Sequence, residues 1–214
     1  MTKLTINEIF HSIQGESTYV GLPCVFVRLT SCNLRCSYCD TEYAFYEGNE
    51  MTADEIIDVV RSYQCKLIEV TGGEPLLQEG VYALMDRLCN EGYEVLLETG
   101  GSLDISKVDS RVRRIMDLKC PSSKMVNKNC WGNIDYLTPE DEVKFVIGTR
   151  EDYEWSKEII GKYSLDEKCP VSMSVVFGEL KPVQLAEWIL QDRLNLRLNL
   201  QMHKYIWPLE MRGV

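Results

Sequence analysis

The sequence lacks the features that would place it in a membrane or on nucleic acid. Its 214 residues contain no apolar run long enough to span a bilayer, and no signal peptide opens the chain. Aspartate and glutamate (33) outnumber lysine and arginine (23), and no basic patch suited to a phosphate backbone is visible. We therefore expect a cytoplasmic protein that binds neither membrane nor nucleic acid.

Histidine is scarce, with only His11 and His203, and the nine cysteines do not suggest a disulfide framework. An odd count without a secretion signal favours free thiols in a reducing compartment. Six cysteines are scattered and are expected to be buried thiols. The other three stand within eight residues of one another: Cys32, Cys36 and Cys39.

The chain has no internal repeat, and its length suits one sizeable core, so we expect a single domain over 1–214. Apolar strand-like runs alternate with helical segments, which predicts an α/β fold with a parallel sheet. The predicted strands cover 4–10, 23–30, 66–70, 93–98, 113–118, 142–147, 171–176 and 196–201. The predicted helices start at Thr52, cover 78–91 and 151–162, and start again near Pro182.

The intervals 99–112 and 119–141 are poor in helix, and the second is expected to be loop. A closed eight-fold (β/α) barrel usually needs about 250 residues, more than this chain has. We therefore predict an incomplete (β/α) barrel that is open on one side. An open three-layer sheet is the alternative.

Cys32, Cys36 and Cys39 follow the spacing C-x3-C-x2-C. Three thiolates on one loop can converge on a single 4Fe–4S cluster and leave one iron open to an outside ligand. Structural zinc usually takes four protein ligands, and no histidine stands nearby. The polar flanking residues disfavour a packing role. The pattern favours a cluster over zinc, and zinc over three core cysteines.

With Tyr38 before the third cysteine, this loop resembles that of the radical S-adenosylmethionine (SAM) superfamily. The resemblance implies that the methionine amine and carboxylate of SAM chelate the open iron. It also implies that an electron from the cluster, which an external donor supplies, cleaves the C–S bond of SAM and yields a 5′-deoxyadenosyl radical. After strand 66–70, the run Thr71-Gly72-Gly73-Glu74-Pro75 looks like the superfamily's methionine-binding turn. Its glycines let the backbone approach a ligand, and Glu74 offers a carboxylate to an ammonium group.

Polar residues also follow the later strands. In barrel folds the chemistry collects at the carboxyl ends of the strands. Each of these residues could instead cap a helix or face solvent. The candidate cofactor-binding residues are Tyr38, Gly72, Gly73, Glu74, Glu98, Asp117, Lys119 and Ser123.

Further motifs narrow the resemblance. They are Ile13-Gln14-Gly15-Glu16, Cys39-Asp40-Thr41, D-L-K-x-P-S-S from Asp117, and the tail Gln201-Met202-His203-Lys204. From the first strand to the last residue, the chain resembles the 7-carboxy-7-deazaguanine synthase family. The resemblance implies a homodimeric lyase that contracts 6-carboxy-5,6,7,8-tetrahydropterin with loss of ammonia, in the biosynthesis of queuosine and related 7-deazapurines. One departure is Ser17, where family members carry glycine and the loop shape could change.

The resemblance also implies the ligands of the substrate. Gln14 and Glu16 can pair with the pterin edge, and Arg28 can bind the substrate carboxylate. The family uses Mg2+ near that carboxylate, and Thr41 matches its metal-ligating threonine. The expected substrate-binding residues are Gln14, Gly15, Glu16, Arg28, Thr71, His203 and Val214.

Two other functions are compatible with the cysteine loop. An activating enzyme for a glycyl-radical protein shares the loop but needs neither the I-Q-G-E motif nor the tail. A non-catalytic zinc or electron-transfer module is the other alternative. Metal content and colour separate that module from the rest, since zinc is colourless and an iron–sulfur cluster is brown.

Overall fold

A computed structural model describes residues 3–214 as nine strands in one sheet, with the order β3-β1-β2-β4-β5-β6-β7-β8-β9. The strands are β1 (Lys3–Ile13), β2 (Pro23–Leu29), β3 (Asn49–Thr52), β4 (Leu67–Gly72), β5 (Glu94–Thr99), β6 (Arg113–Asp117), β7 (Glu142–Ile147), β8 (Val171–Val175) and β9 (Arg197–Leu198). β1 is antiparallel to β2 and β3, and the ladder from β2 through β4 to β9 is parallel. Within the described residues the edge strands β3 and β9 do not pair, so the barrel is incomplete and open, as predicted.

Six α-helices lie along the chain in residues 3–214: α1 (Ala53–Ser62), α2 (Gly80–Asn90), α3 (Arg150–Tyr163), α4 (Leu165–Lys168), α5 (Pro182–Asp192) and α6 (His203–Ile206). The predicted capping box at Thr52 is present, because its hydroxyl accepts from Glu55 N and the Glu55 carboxylate accepts from Thr52 N. Helix α2 ends just before Gly92, which takes a left-handed φ of 79°. The four predicted helix starts, and the ends predicted at 91 and 162, are therefore confirmed within one or two residues.

The helix-poor crossovers are also confirmed, with one refinement. The 119–141 interval holds three short 3-10 helices instead of plain loop: Pro121–Ser123, Val126–Lys128 and Trp131–Tyr136. Two predictions of strand were inexact. β3 was missed because its polar sequence, Asn49–Thr52, does not alternate, and the predicted strand 196–201 pairs only at Arg197–Leu198 because the chain then turns into α6.

Successive side chains of the parallel strands point to opposite faces of the sheet, so the hydrophobic core forms two clusters. Ile68 and Val70 of β4 belong to the main core between sheet and helices, while Leu67 belongs to a second cluster inside the barrel. The second cluster includes the stacked rings of Phe10 and Phe26, whose centroids are 4.9 Å apart. Residues that follow Leu67 on the same face, such as Glu69 and Thr71, therefore point into the barrel above an apolar floor.

The scattered cysteines are free thiols, as expected, although only half of them are fully buried. Cys24, Cys120 and Cys169 are buried, and Cys65, Cys89 and Cys130 are partly exposed. No helix in residues 3–214 combines the length and the apolar character that crossing a bilayer requires.

Candidate active site

A cavity of about 650 Å³ opens at the carboxyl ends of the parallel strands. Phe10, Phe26 and Ile115 from the inner cluster form part of its wall. Of the predicted site residues, those that line it are Gln14, Gly15, Glu16, Arg28, Cys32, Cys36, Tyr38, Cys39, Thr41, Thr71, Gly72, Gly73, Glu98, Asp117, Lys119, His203 and Val214. Glu74 and Ser123 do not. The topology thus brings residues from every part of the chain to one chamber.

The cysteine loop follows β2 and presents Cys32, Cys36 and Cys39 to the cavity. Burial raises the pKa of each thiol; at Cys32 the N–H of Leu34 opposes this shift, and at Cys36 the ammonium of Lys119 does. Thiolates on one loop are the ligand set of an iron–sulfur cluster, so the residues fit that group. No three His, Cys, Asp or Glu side chains of residues 3–214 are grouped closely enough to hold a single metal ion. In a 4Fe–4S cluster, by contrast, each thiolate binds a different iron.

The glycine turn after β4 is packed against this loop. A Cβ atom at Gly73 would lie 2.7 Å from the Cβ of Cys32, so only glycine fits there. Glu74 is fully buried, and its carboxylate accepts hydrogen bonds from Thr99 Oγ1 (2.9 Å) and Gly100 N (2.8 Å). Burial raises the pKa of Glu74, and this effect outweighs the hydrogen bonds, which lower it. Its acceptors face the protein interior, and Gly72 and Gly73 form the cavity wall.

Ser123 is likewise buried outside the cavity. Its hydroxyl donates to Cys120 O (2.6 Å), and its carbonyl accepts from Ser37 N (3.1 Å) in the cysteine loop. Tyr38 does line the cavity, and its buried hydroxyl has no hydrogen-bond partner among the described residues. Burial raises the pKa of that hydroxyl, which keeps it a neutral donor.

A buried cluster of charges occupies the middle of the chamber. The Nζ atom of Lys144 on β7 lies 2.7 Å from Glu16 Oε2, 2.5 Å from Glu98 Oε1 and 3.9 Å from Asp117 Oδ2. Burial alone would lower the pKa of Lys144, but these carboxylates hold it well above the usual value. Conversely, burial opposes ionisation of Glu98, and Lys144 outweighs it and lowers the pKa of that carboxyl. The pair is therefore ionised at neutral pH.

Lys119 forms a second pair in the cluster, 2.9 Å from Asp117 Oδ2. The other carboxylate oxygen of Asp117 is buried and without a partner in the described part of the chain. A buried acceptor without a partner is costly, so this atom is available to a ligand donor.

The loop after β1 meets the tail of the chain in this chamber. Gln201 Nε2 donates to Glu16 Oε1 (2.8 Å), and Met202 N donates to Gly15 O (2.9 Å). A Cβ atom at Gly15 would overlap the ring of His203. Burial lowers the pKa of His203 against the opposing effect of Glu16, so the ring is neutral at pH 7. The I-Q-G-E motif and the tail motif are thus one structural unit.

Ser17, the departure from the family pattern, adopts a φ of 62°. This left-handed conformation is the one that glycine takes without strain, and the Ser17 hydroxyl accepts from Tyr19 N (3.1 Å). The loop therefore takes a glycine-like turn in spite of the substitution.

Arg28 and Thr41 also line the cavity. Arg28 Nε donates to Glu8 Oε1 (2.7 Å), to which the Tyr43 hydroxyl also donates (2.9 Å). The Thr41 hydroxyl donates to Asp40 Oδ1 (2.9 Å), and Lys204 Nζ lies 2.6 Å from the other oxygen of Asp40.

Sequence reasoning missed two residues of the cluster, Lys144 and Glu69. Both are charged residues flanked by apolar residues in buried strands, Glu142–Ile147 and Leu67–Gly72, and a charge in that setting was the available signal. Glu69 accepts a hydrogen bond from Gln14 Nε2. Burial, reinforced by Glu98 and Glu16, raises the pKa of Glu69 well above its usual value.

Residues 27–179 match the family model described as the radical SAM superfamily, which is the class that the open barrel and the cysteine loop define. This superfamily implies a 4Fe–4S cluster and SAM. The chain is 48% identical to a 7-carboxy-7-deazaguanine synthase of Chlorobaculum tepidum, over 99% of this chain and 97% of that one. It is 44% identical to a synthase of the same name from Koribacter versatilis, over 99% and 100% of the two chains. The chain belongs to the 7-carboxy-7-deazaguanine synthase family.

A solved structure agrees on the fold. The crystal structure of QueE from Escherichia coli superposes with a TM-score of 0.78, over 94% of this chain and 95% of that chain, at 20% sequence identity.

Proposed function

We propose that the protein is a 7-carboxy-7-deazaguanine synthase that contracts the ring of 6-carboxy-5,6,7,8-tetrahydropterin and releases ammonia, for queuosine and related 7-deazapurines. One observation carries the proposal: the I-Q-G-E loop, the cysteine loop, the T-G-G-E-P turn and the Q-x-H-K tail all reach the same cavity. An activating enzyme for a glycyl-radical protein would have no use for the first or the last of these motifs, and a zinc or electron-transfer module would have no use for the chamber.

The 4Fe–4S cluster and SAM would bind to different groups of cavity-lining residues. When bound, the 4Fe–4S cluster and SAM supply the radical that starts the reaction. Cys32, Cys36 and Cys39 would hold the cluster. Gly72 and Gly73 would admit the methionine group to the wall, while Glu98, Asp117 and Lys119 offer charged partners to the rest of SAM.

The substrate takes the remaining walls. Glu16 can accept hydrogen bonds from the donor edge of the pterin, and Arg28 can pair with its carboxylate. A neutral His203 can donate or accept one further hydrogen bond. Gly15 leaves room for the His203 ring, and the apolar floor shields the reacting atoms from water.

Mg2+ is proposed to bind at Thr41. Thr41 and Asp40 both line the cavity, the Thr41 hydroxyl lies 2.9 Å from Asp40 Oδ1, and one or two protein oxygens with waters suit this cation. The substrate carboxylate and Arg28 would complete its surroundings. Activity is then expected to require added Mg2+ and to fall in Thr41→Ala. Equal activity of Thr41→Ala and the native chain at limiting Mg2+ would count against the site.

The working form is proposed to be a cytoplasmic homodimer that takes its electron from a separate donor protein. Exposed apolar side chains in the last part of the chain, among them Tyr205, Ile206 and Leu209, supply surface that a second copy could cover. Light scattering during gel filtration would check the mass, and a monomer at micromolar concentration would argue against this assembly.

The central test is an anaerobic assay of the reconstituted protein with reductant, SAM, Mg2+ and the tetrahydropterin, in which the product is detected by mass. We expect 7-carboxy-7-deazaguanine from the native chain and from Cys89→Ala, whose thiol lies outside the cavity. Cys36→Ala is expected to give none. Formation of 5′-deoxyadenosine without product would refute the substrate, and absence of both from a fully loaded enzyme would refute the radical chemistry.

A further inference from the structure

Lys144 lies between two carboxylates of the chamber, those of Glu16 and Glu98. We propose that it is a positioning residue, which couples substrate binding to SAM binding by holding the carboxylates of Glu16 and Glu98 on one ammonium group. The inference rests on the proposed function, in which Glu16 serves the substrate and Glu98 serves SAM. The Nζ atom lies 2.7 Å from Glu16 Oε2 and 2.5 Å from Glu98 Oε1, and the lysine side chain is 4% exposed.

Among residues 3–214, Lys144 is the one side chain that contacts both carboxylates. Glu16 lies on the loop after β1, and Glu98 lies on β5, three strands away from β1 in the sheet order. Each uses one oxygen for Lys144 and the other for a different partner: Gln201 donates to Glu16 (2.8 Å), and Thr71 donates to Glu98 (3.3 Å). A displacement of either carboxylate therefore changes the contacts of the shared ammonium group.

This geometry makes the coupling reciprocal. A pterin that draws Glu16 into a defined position also fixes Lys144, and Lys144 then fixes Glu98 for SAM. By linkage, SAM must tighten the binding of the pterin by the same factor. Before either ligand binds, the lysine also keeps two like charges from repelling each other, which preorganises both halves of the site.

A purely structural role for Lys144 makes a different prediction. An entire buried ion pair can often be replaced by apolar residues with little loss of stability. The stability of the fold alone therefore does not explain why a lysine occupies this position. A structural lysine would alter the unfolding transition and leave the ratio of ligand affinities unchanged. The coupling factor is therefore the measurement that separates the two roles.

The experiment measures SAM binding to the reconstituted, unreduced protein by equilibrium dialysis, with and without a saturating concentration of the tetrahydropterin. In the native chain the pterin is expected to tighten SAM binding about tenfold, within the usual range of coupling between sites. In Lys144→Met the factor is expected to fall close to one, and in Lys144→Arg, which keeps the cation, a factor of several-fold is expected to remain.

The matched control is Lys157→Met. Lys157 also bridges two carboxylates, Asp192 (2.6 Å) and Glu154 (3.1 Å), but it lies outside the cavity. Its coupling factor should equal that of the native chain. If Lys144→Met fails to fold, Glu98→Gln provides the second test, because it removes the SAM-side partner of Lys144 and is also expected to lower the factor towards one.

Two results would overturn the inference: a native chain with no coupling, or native coupling retained in Lys144→Met or in Glu98→Gln. The proposed function is tested separately, by product formation in the native chain. Product from the native chain with unchanged coupling in the variants refutes only the role of Lys144, whereas no product from the native chain refutes the function itself.

Discussion

Gly73 lies directly against Cys32: a Cβ atom added to the glycine would stand 2.7 Å from the Cβ of the cysteine and would overlap the Ser31 carbonyl. The contact is reinforced by the backbone, because Glu74 N donates to Ser31 O (2.8 Å) and Gly73 N donates to Leu29 O (3.2 Å). The T-G-G-E-P turn is therefore the support of the cysteine loop as well as a wall of the cavity.

This contact predicts that Gly73→Ala impairs cluster assembly. The added methyl group cannot be accommodated by rotation of a flexible side chain, since backbone atoms of Ser31 block it. We expect the iron and sulfide content after reconstitution to fall at least about twofold, and the free energy of unfolding to fall by about 1–3 kcal/mol. The control is Gly132→Ala, which has nothing within 4 Å of its new Cβ and should keep the native iron content. A Gly73→Ala protein with full iron content would contradict the argument.

A second glycine supports the substrate side. In Gly15→Ala the new methyl group would overlap the His203 ring, which must then move together with the tail that contacts Gly15 O. We expect KM for the tetrahydropterin to rise about tenfold or more while the iron content stays native, because one to two kcal/mol of binding is lost with a displaced hydrogen-bonding group. Steady-state kinetics with saturating SAM provide the measurement. An unchanged KM would show that His203 is not held by this contact.

The sequence predicts the fold and most of the chamber for identifiable reasons. Runs rich in apolar residues, such as Glu142–Ile147 with its interruption at Lys144, indicate buried parallel strands, and the carboxyl ends of such strands meet at one edge. The side chains that follow those ends were therefore expected to be neighbours. The order of the strands then explains why residues as distant as Gln201 and Glu16, 185 positions apart, form a hydrogen bond.

The sequence does not predict which polar residues face inward within a strand or which carboxylates are already engaged. Lys144 and Glu69 were missed because a single charge in an apolar strand carries no spacing pattern. Glu74 was assigned to SAM, yet its oxygens bind Thr99 and Gly100, contacts that depend on how β5 ends beside β4. Its role towards SAM remains a prediction. Such details depend on sheet register, which strand sequences determine only collectively.

Asp152 is expected to stabilise the segment around Ser122, which contacts Ser37 of the cysteine loop. Its carboxylate accepts from Ser122 N (2.8 Å), Gly148 N (2.9 Å) and Thr149 N (2.9 Å), and Ser122 O in turn accepts from Ser37 Oγ (2.7 Å). Asp152 is buried, and Asp152→Ala removes all three of these partly buried hydrogen bonds, so the free energy of unfolding should fall by roughly 2–4 kcal/mol. Denaturant titration checks the value. Asp135→Ala, an exposed carboxylate, should stay within about 0.5 kcal/mol of the native chain; equal losses in both variants would refute the assignment.

The carboxyl group of Glu69 is expected to make the free energy of unfolding depend on pH. Burial, with Glu98 and Glu16 nearby, raises its pKa above the value of about 4.3 expected in the unfolded chain. Below that value both states hold the proton, and Glu69 costs the fold nothing. As the pH rises, the unfolded chain releases the proton first, so the native state is progressively disfavoured until the pH passes the folded pKa.

Glu69→Gln removes this titration and keeps an acceptor for the Gln14 amide. At pH 4 the variant and the native chain should have nearly the same free energy of unfolding. At pH 8 the value of the variant should be higher by the order of 1 kcal/mol, since one pKa unit corresponds to about 1.4 kcal/mol. Thermal and denaturant unfolding across this range provide the measurement. Glu187→Gln, at an exposed position on α5, should give a difference that does not change with pH. A gain that is largest at pH 4 would reverse the sign and refute the buried, protonated state of Glu69.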